Sequence, residues 1–155
     1  MASRLTIRPT GDAISGPEFF VLMRSDAGES CPFCDLPRER VVAENDLALA
    51  ILDGFPVTSL HSLVIPKRHA ETYFDLGKDE VAACDALLRQ LRADILARDP
   101  TVEGFNIGIN AGAVAGQTVL HCHIHLIPRR RGDVDDPRGG VRHLIPGKGY
   151  YHAGK

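Results

Sequence analysis

Gly116-Gln117-Thr118-Val119-Leu120-His121-Cys122-His123-Ile124-His125-Leu126-Ile127-Pro128-Arg129 sets three histidines at alternate positions, with Cys122, Ile124 and Leu126 between them. A period of two is the pattern of a β-strand, so the stretch is expected to present a row of imidazoles on one face and core residues on the other. Three ionisable rings on one face call for an anionic, metallic or electrophilic neighbour, because neutral partners for all three are hard to supply inside a protein.

Two chemistries fit such a row. A zinc site needs ligands converging from four directions, and alternating histidines on one strand can supply two of them. A nucleophilic site needs one neutral imidazole aimed at phosphorus and others that hold phosphate oxygens. The residues upstream favour the second. Asn110-Ala111-Gly112 and Ala115-Gly116-Gln117-Thr118 are small and polar. Their glycines let backbone N–H groups approach a phosphate, with amide and hydroxyl donors beside them.

Read together, Asn110 to Arg129 resembles the signature of the histidine-triad (HIT) family of nucleotide hydrolases and transferases. Leu52-Asp53 and His61-Ser62-Leu63-Val64-Ile65-Pro66-Lys67-Arg68-His69 resemble the same family's upstream block. The resemblance runs in order from about Cys31 to Arg129. It implies an α+β fold of the HIT type, in which an antiparallel sheet of about five strands carries one long helix and a C-terminal tail. It also implies a homodimer and a purine nucleotide or dinucleoside polyphosphate substrate.

At 155 residues, with a net charge of -2, 25% charged and 44% hydrophobic residues, the chain reads as one ordinary globular domain spanning residues 1–155. It has no basic excess to argue for nucleic-acid binding. The first residues lack the apolar run of a signal peptide and no stretch reaches membrane-spanning length, so the expected location is cytoplasmic. Four cysteines in that compartment read as thiols or metal ligands rather than disulfides.

Taken in order, residues 1–16 read as an N-terminal arm, and the apolar cluster at 19–23 as either a short strand or a helical turn. Cys31-Pro32-Phe33-Cys34 suits a zinc half-site, a redox pair or two buried thiols. Family members with this pair bind zinc, and matching positions carries the ligand set onto Cys31, Cys34, His69 and His121, so structural zinc is the preferred reading. Val41 to Glu44 and Leu47 to Leu52 read as strands joined by a tight turn at Asn45-Asp46. Asp53 ends the second strand. It stands eight positions before His61, where the family's acidic residue reaches the ribose hydroxyls; on its own it would read as a turn residue.

Leu60 to Ile65 is a strand stopped by Pro66, and the resemblance makes His61 support for the nucleophile. Residues 79–98 carry Val81, Cys84, Leu88, Leu91 and Ile95 at helical spacing, opened by Asp79 and Glu80 and closed by Asp99-Pro100. Gly104 to Asn110 alternates Phe105, Ile107 and Ile109 against polar residues, as a half-buried strand does. The element order is strand, strand, strand, helix, strand, strand. From residue 129 the chain reads as a charged tail to residue 155 on the substrate side. It holds five arginines among fourteen residues, either a solvated segment or a wrap for polyphosphate.

The resemblance implies that His123 attacks the α-phosphorus of a nucleotide and forms a covalent nucleotidyl-histidine, while His125 hydrogen-bonds the transferred phosphate. The nucleotide is expected to be held by Asp53, Asn110, Gly116, Gln117 and Thr118, with Gln117 and Thr118 stabilising developing charge. His121 is assigned to metal. The tail resembles the branch that hydrolyses dinucleoside polyphosphates such as diadenosine tetraphosphate, whereas the cysteine pair resembles zinc-keeping branches that include phosphoramidases. A nucleotide-binding or sensing module without turnover is the alternative. A zinc deaminase is excluded because it needs an H-x-E pattern and a second P-C-x-x-C.

Overall fold

The computed structural model describes residues 31–150. The expected N-terminal arm, the cluster at 19–23 and residues 151–155 lie outside them. Among the described residues the elements run β1 (Val41–Glu44), β2 (Ala48–Leu52), β3 (Ser62–Pro66), α1 (Lys78–Arg98), β4 (Val102–Gly108) and β5 (Ile124–Arg130). The strands form one sheet in the order β1-β2-β3-β5-β4, antiparallel at every pairing. This is the α+β architecture expected from the sequence.

Asn45 makes the first hairpin. Its side-chain oxygen accepts from the amides of Leu47 (3.1 Å) and Ala48 (2.8 Å), and its amide donates to the Ala83 carbonyl (2.8 Å) on α1. One asparagine thus closes the turn and fastens it to the helix.

β3 is the middle of the sheet and is buried along its whole length. Val64 faces the larger core, which it shares with Ala50, Ile124, Leu126 and the helix residues Cys84, Leu87, Leu91 and Ile95. Leu63 and Ile65 face a second cluster with Phe33, Ile51 and Val119. A strand covered on both faces gives a continuous apolar run, which is why Leu63-Val64-Ile65 shows no alternation. Glu80 holds the start of α1 by accepting from the Gly77 amide (2.8 Å), and the Asp99 amide closes the last turn on the Ile95 carbonyl (2.9 Å). No helix among the described residues is long and apolar enough to cross a membrane.

Five details differ from the sequence reading. Of the three alternating histidines, only His125 belongs to a strand, because β5 opens at Ile124. His121 and His123 lie in the irregular segment before it, where the Cys122 amide bonds the Ala70 carbonyl (2.7 Å). His121, Cys122 and His123 are all buried, so no division into imidazole face and core face exists there. Likewise β3 starts at Ser62 and includes Pro66, and Leu60 before it has φ 67, a left-handed turn that no strand residue adopts.

On α1 the fully buried position is Leu87, with Leu88 only partly covered. Both satisfy a spacing of three and four residues, so periodicity alone cannot separate them. Ile107 on edge strand β4 is 55% exposed rather than half-buried. Finally, Arg129 and Arg130 belong to β5, and the arginines meet the chain's own acids. Arg129 pairs with Asp133, Arg130 with Asp99, Arg131 with Glu103 and Arg138 with Asp136. A polyphosphate would have to displace carboxylates already in place, which opposes the wrapping role.

Candidate active site and metal cluster

The segment before β1, the end of β3 and the entry to β5 bring Cys31, Cys34, His69 and His121 together. Their ligand atoms all lie within 4.8 Å of one another. Cys31 Sγ is 3.4 Å from His121 Nδ1, and Cys34 Sγ is 3.4 Å from His69 Nδ1 and 3.6 Å from His121 Nδ1. Tetrahedral zinc, with bonds of about 2.3 Å to sulfur and about 2.0 Å to nitrogen, separates the two by about 3.5 Å. The donor set fits that cation in kind and spacing. His121 Nε2 lies 2.8 Å from the Pro66 carbonyl, which fixes its proton there and turns the Nδ1 lone pair toward the sulfurs. A zinc ion held by these four residues would cross-link three separate parts of the chain.

His123 sits one alternation further along. Its Nδ1 is 2.8 Å from the His121 carbonyl, an acceptor only, so Nδ1 carries the proton and Nε2 keeps a free lone pair. Burial pushes its pKa below the ordinary imidazole value, which keeps the ring neutral. Phe33, inside the Cys-x-x-Cys loop, packs edge-on against His123 at 5.2 Å and against His121 at 6.0 Å. His125 stands on the other side, with ring centroids 5.2 Å apart. Cys122 is inert here, since burial pushes its thiol up to about 11.

Asp53, His61 and His125 form a second cluster. His61 Nε2 lies 3.0 Å from His125 Nδ1, and Asp53 Oδ2 lies 3.4 Å from the first and 3.8 Å from the second. His61 therefore contacts His125 rather than His123, the ring that the resemblance made the nucleophile. The spacing suits a cation, but the protons do not. The Val57 amide donates to His61 Nδ1 (3.3 Å), which leaves the proton of a neutral ring on Nε2, where a metal would need a lone pair. The other oxygen of Asp53 accepts from the Phe55 amide (2.8 Å), so this residue also makes the turn that the local sequence suggested.

The glycine-rich turn is built as a brace. Gly112 and Gly116 have φ 88 and 86, conformations that favour glycine. Gln117 is buried between them and the rest of the domain. Its side-chain oxygen accepts from the Gly112 amide (2.7 Å), and its nitrogen donates to the carbonyls of Glu71 (2.6 Å) and Val119 (3.0 Å). The amide expected to face phosphate is thus turned inward, because it is the partner of three backbone groups, the Val119 carbonyl among them buried. Thr118 is exposed, and the Asn110 amide reaches the Gly116 carbonyl at 3.5 Å. Sequence reasoning missed Phe33, the Val57 amide and the Pro66 carbonyl. Only Phe33 left a signal, as an apolar residue locked between two ligands.

The five-stranded antiparallel sheet carries His123 and His125 at the entry to β5 with a Cys2His2 cluster beside them, and this combination places the chain in a known family. The HIT domain pattern matches residues 37–132, and the chain belongs to the HIT family. It is 37% identical over 112 residues to a HIT-like protein of Mycoplasma genitalium, covering 69% of this chain and 78% of that protein. It is 36% identical over 107 residues to the adenylylsulfatase HINT3 of Arabidopsis thaliana, covering 66% of this chain and 54% of that one. Among solved structures, a zinc-bound histidine triad family protein from Mycobacterium smegmatis superposes with a TM-score of 0.61 at 38% identity, covering 67% of this chain and 78% of that one.

Proposed function

We propose that this protein is a nucleotide hydrolase or nucleotidyl transferase that works through a covalent nucleotidyl-histidine on His123. The observation that carries the reading is the bond of His123 Nδ1 to the His121 carbonyl, which leaves Nε2 as a neutral, directed nucleophile. His123 Nε2 attacks the α-phosphorus, the bond to the leaving group breaks, and water or another acceptor then releases the nucleotide. His125 donates to a non-bridging phosphate oxygen, a preorganised donor of the kind that contributes roughly 3 kcal/mol. Asp53 Oδ2 receives the ribose hydroxyls, and the backbone amides of the turn from Gly112 to Gly116 receive phosphate. Asn110 and Gln117 act by holding that turn in shape, and Thr118 offers its hydroxyl at the rim.

Substrates in this reading are adenine nucleotides with a second group on the α-phosphate: dinucleoside polyphosphates, phosphoramidates or mixed anhydrides. The adenylylsulfatase name of one relative supports the last of these. Structural zinc sits at Cys31, Cys34, His69 and His121, supported by the spacing and by the zinc-bound relative. The exposed Ile107 on edge strand β4 supports a homodimer formed along that edge.

Incubating the protein with a labelled dinucleoside polyphosphate and quenching in base, where a phosphoryl-histidine survives, tests the reading. A nucleotidyl adduct mapped to His123, absent from His123→Ala, is expected together with released mononucleotide. Tight binding without turnover or adduct would leave a nucleotide-binding module in its place.

A further inference from the structure

We propose that Phe33 is a positioning residue that couples the Cys31, Cys34, His69 and His121 cluster to His123, so that zinc in the cluster steadies the His123 ring and tightens nucleotide binding, and a bound nucleotide tightens zinc in return. The nucleotide half rests on the nucleotidyl-transfer reading above; the steadying of His123 does not.

Cys31-Pro32-Phe33-Cys34 is a single turn. The Cys34 and Asp35 amides both donate to the Cys31 carbonyl, at 3.0 and 3.1 Å, and Pro32 at the second position presets its own φ. Both thiols leave the turn toward the same place. Cys31 Sγ lies 3.4 Å from His121 Nδ1, and Cys34 Sγ lies 3.4 Å from His69 Nδ1. Phe33 stands between these two anchors in sequence, yet its side chain goes elsewhere. It is 5% exposed where Cys31 is half-buried and Cys34 exposed, and it packs with Ile51, Leu63, Ile65 and Val119.

There the ring meets one histidine of the cluster and one of the pocket. It is edge-on to His121 at 6.0 Å and 72°, and to His123 at 5.2 Å and 69°. His123 is otherwise held by the bond from Nδ1 to the His121 carbonyl (2.8 Å) and by the His125 ring at 5.2 Å. A hydrogen bond tolerates a tilt of about 30°. Crossed aromatic packing removes that freedom, because the edge of one ring fits the face of the other in few orientations.

Residues 31–37 belong to no helix or strand, so the turn takes its position from what its side chains reach. Ligation by Cys31 and Cys34 together with His69 and His121 would lock the turn to the histidine segment, and Phe33 with it. With the cluster open, the thiols keep only weak sulfur contacts to the imidazoles, and the Phe33 ring gains room to draw back from His123. Linkage then runs both ways: whatever zinc adds to nucleotide affinity, nucleotide adds to zinc affinity. A second route runs from the His121 ring through its own carbonyl to His123, and substitution at Phe33 leaves that route intact.

The test uses the full chain, Phe33→Leu, which fills the apolar cluster without a flat ring, and Ile65→Val, which trims the same cluster without touching the turn. Proton–nitrogen correlation spectra of the imidazoles, taken without nucleotide, come first. His123 is expected to give one sharp set of signals in the zinc-loaded parent and to broaden when a chelator removes the metal, a comparison that needs no variant. Phe33→Leu should hold stoichiometric zinc by elemental analysis and still show the broadened His123, whereas Ile65→Val should match the parent. Chelator competition then measures zinc affinity with and without adenosine monophosphate. The nucleotide should tighten zinc by about fivefold or more in the parent and in Ile65→Val, and by less than about twofold in Phe33→Leu. Sharp His123 signals in the metal-free parent or in zinc-loaded Phe33→Leu overturn the coupling, as does an undiminished linkage factor in that variant. Loss of the whole fold on metal removal overturns it too, since zinc would then hold the domain and not one turn. So does a Phe33→Leu chain that cannot keep zinc, the ring then serving the cluster alone. If adenosine monophosphate binds no form of the protein, the nucleotidyl reading fails and the spectra alone judge the coupling. If it binds equally with and without zinc, the linkage fails while that reading stands.

Discussion

Replacing Gln117 with glutamate changes one nitrogen for one oxygen in a side chain that is 6% exposed. One oxygen of the new carboxylate keeps the Gly112 amide. The other faces the carbonyls of Glu71 and Val119, which now accept at 2.6 and 3.0 Å from nothing that donates. Two hydrogen bonds at about 1 kcal/mol each are lost, and at least one buried carbonyl is left unsatisfied at a further 1 to 3 kcal/mol or so. The expected destabilisation is roughly 3 kcal/mol, which for a domain of this size lowers Tm by roughly 6 to 12 °C. Calorimetry at pH 8, where the carboxylate is ionised, measures it, with activity assayed well below the transition. If Gln117→Glu loses activity while its Tm stays within about 1 °C of the parent, the amide serves the substrate directly and the brace described above is wrong.

Three further outcomes are expected. His125 is lowered from 6.5 to about 4 by burial and its histidine neighbours, so between those values the unfolded chain binds more protons than the folded one. Stability should therefore be full above the ordinary value and fall by up to about 3 kcal/mol as pH drops through that window, a slope that His125→Asn flattens in denaturant titrations at stepped pH. Leu87→Ala should cost about 3 kcal/mol and Leu88→Ala clearly less, because only the first is fully buried; urea midpoints at equal m-value compare them. Cys34→Ser should abolish stoichiometric zinc by elemental analysis and lower Tm, whereas Cys84→Ser, whose buried thiol lies outside the ligand set, should retain the metal.

The sequence carried the element order and the hairpin at Asn45, because each depends on spacing that a folded chain must respect, and the family resemblance pointed to Cys31, Cys34, His69 and His121, which the fold brings together. What it did not carry is which partner a polar side chain selects. Gln117 can face inward or outward from the same position, and only the unpaired carbonyls of Glu71 and Val119 decide between the two. His61 was legible as a site residue but not as the partner of His125, since that contact joins residues 64 apart in the chain. The alternation of His121, Cys122 and His123 misled for a related reason. Period two describes a strand, yet here it arises where one ring turns to the Cys31 and Cys34 thiols and the next packs between Phe33 and His125.

The loop from Asp53 to His61 is closed on itself and tied to β5 at Thr58 and Ser59. The Thr58 hydroxyl donates to the Pro128 carbonyl at 2.8 Å, Arg130 reaches the Ser59 carbonyl at 3.3 Å, and the Asp53 amide bonds the His61 carbonyl at 2.9 Å. That side cannot widen without tearing these stitches. The turn of Ala113, Val114 and Ala115, exposed between Gly112 and Gly116, has no such ties to β5 among the described residues, so it is the part of the surroundings freer to shift.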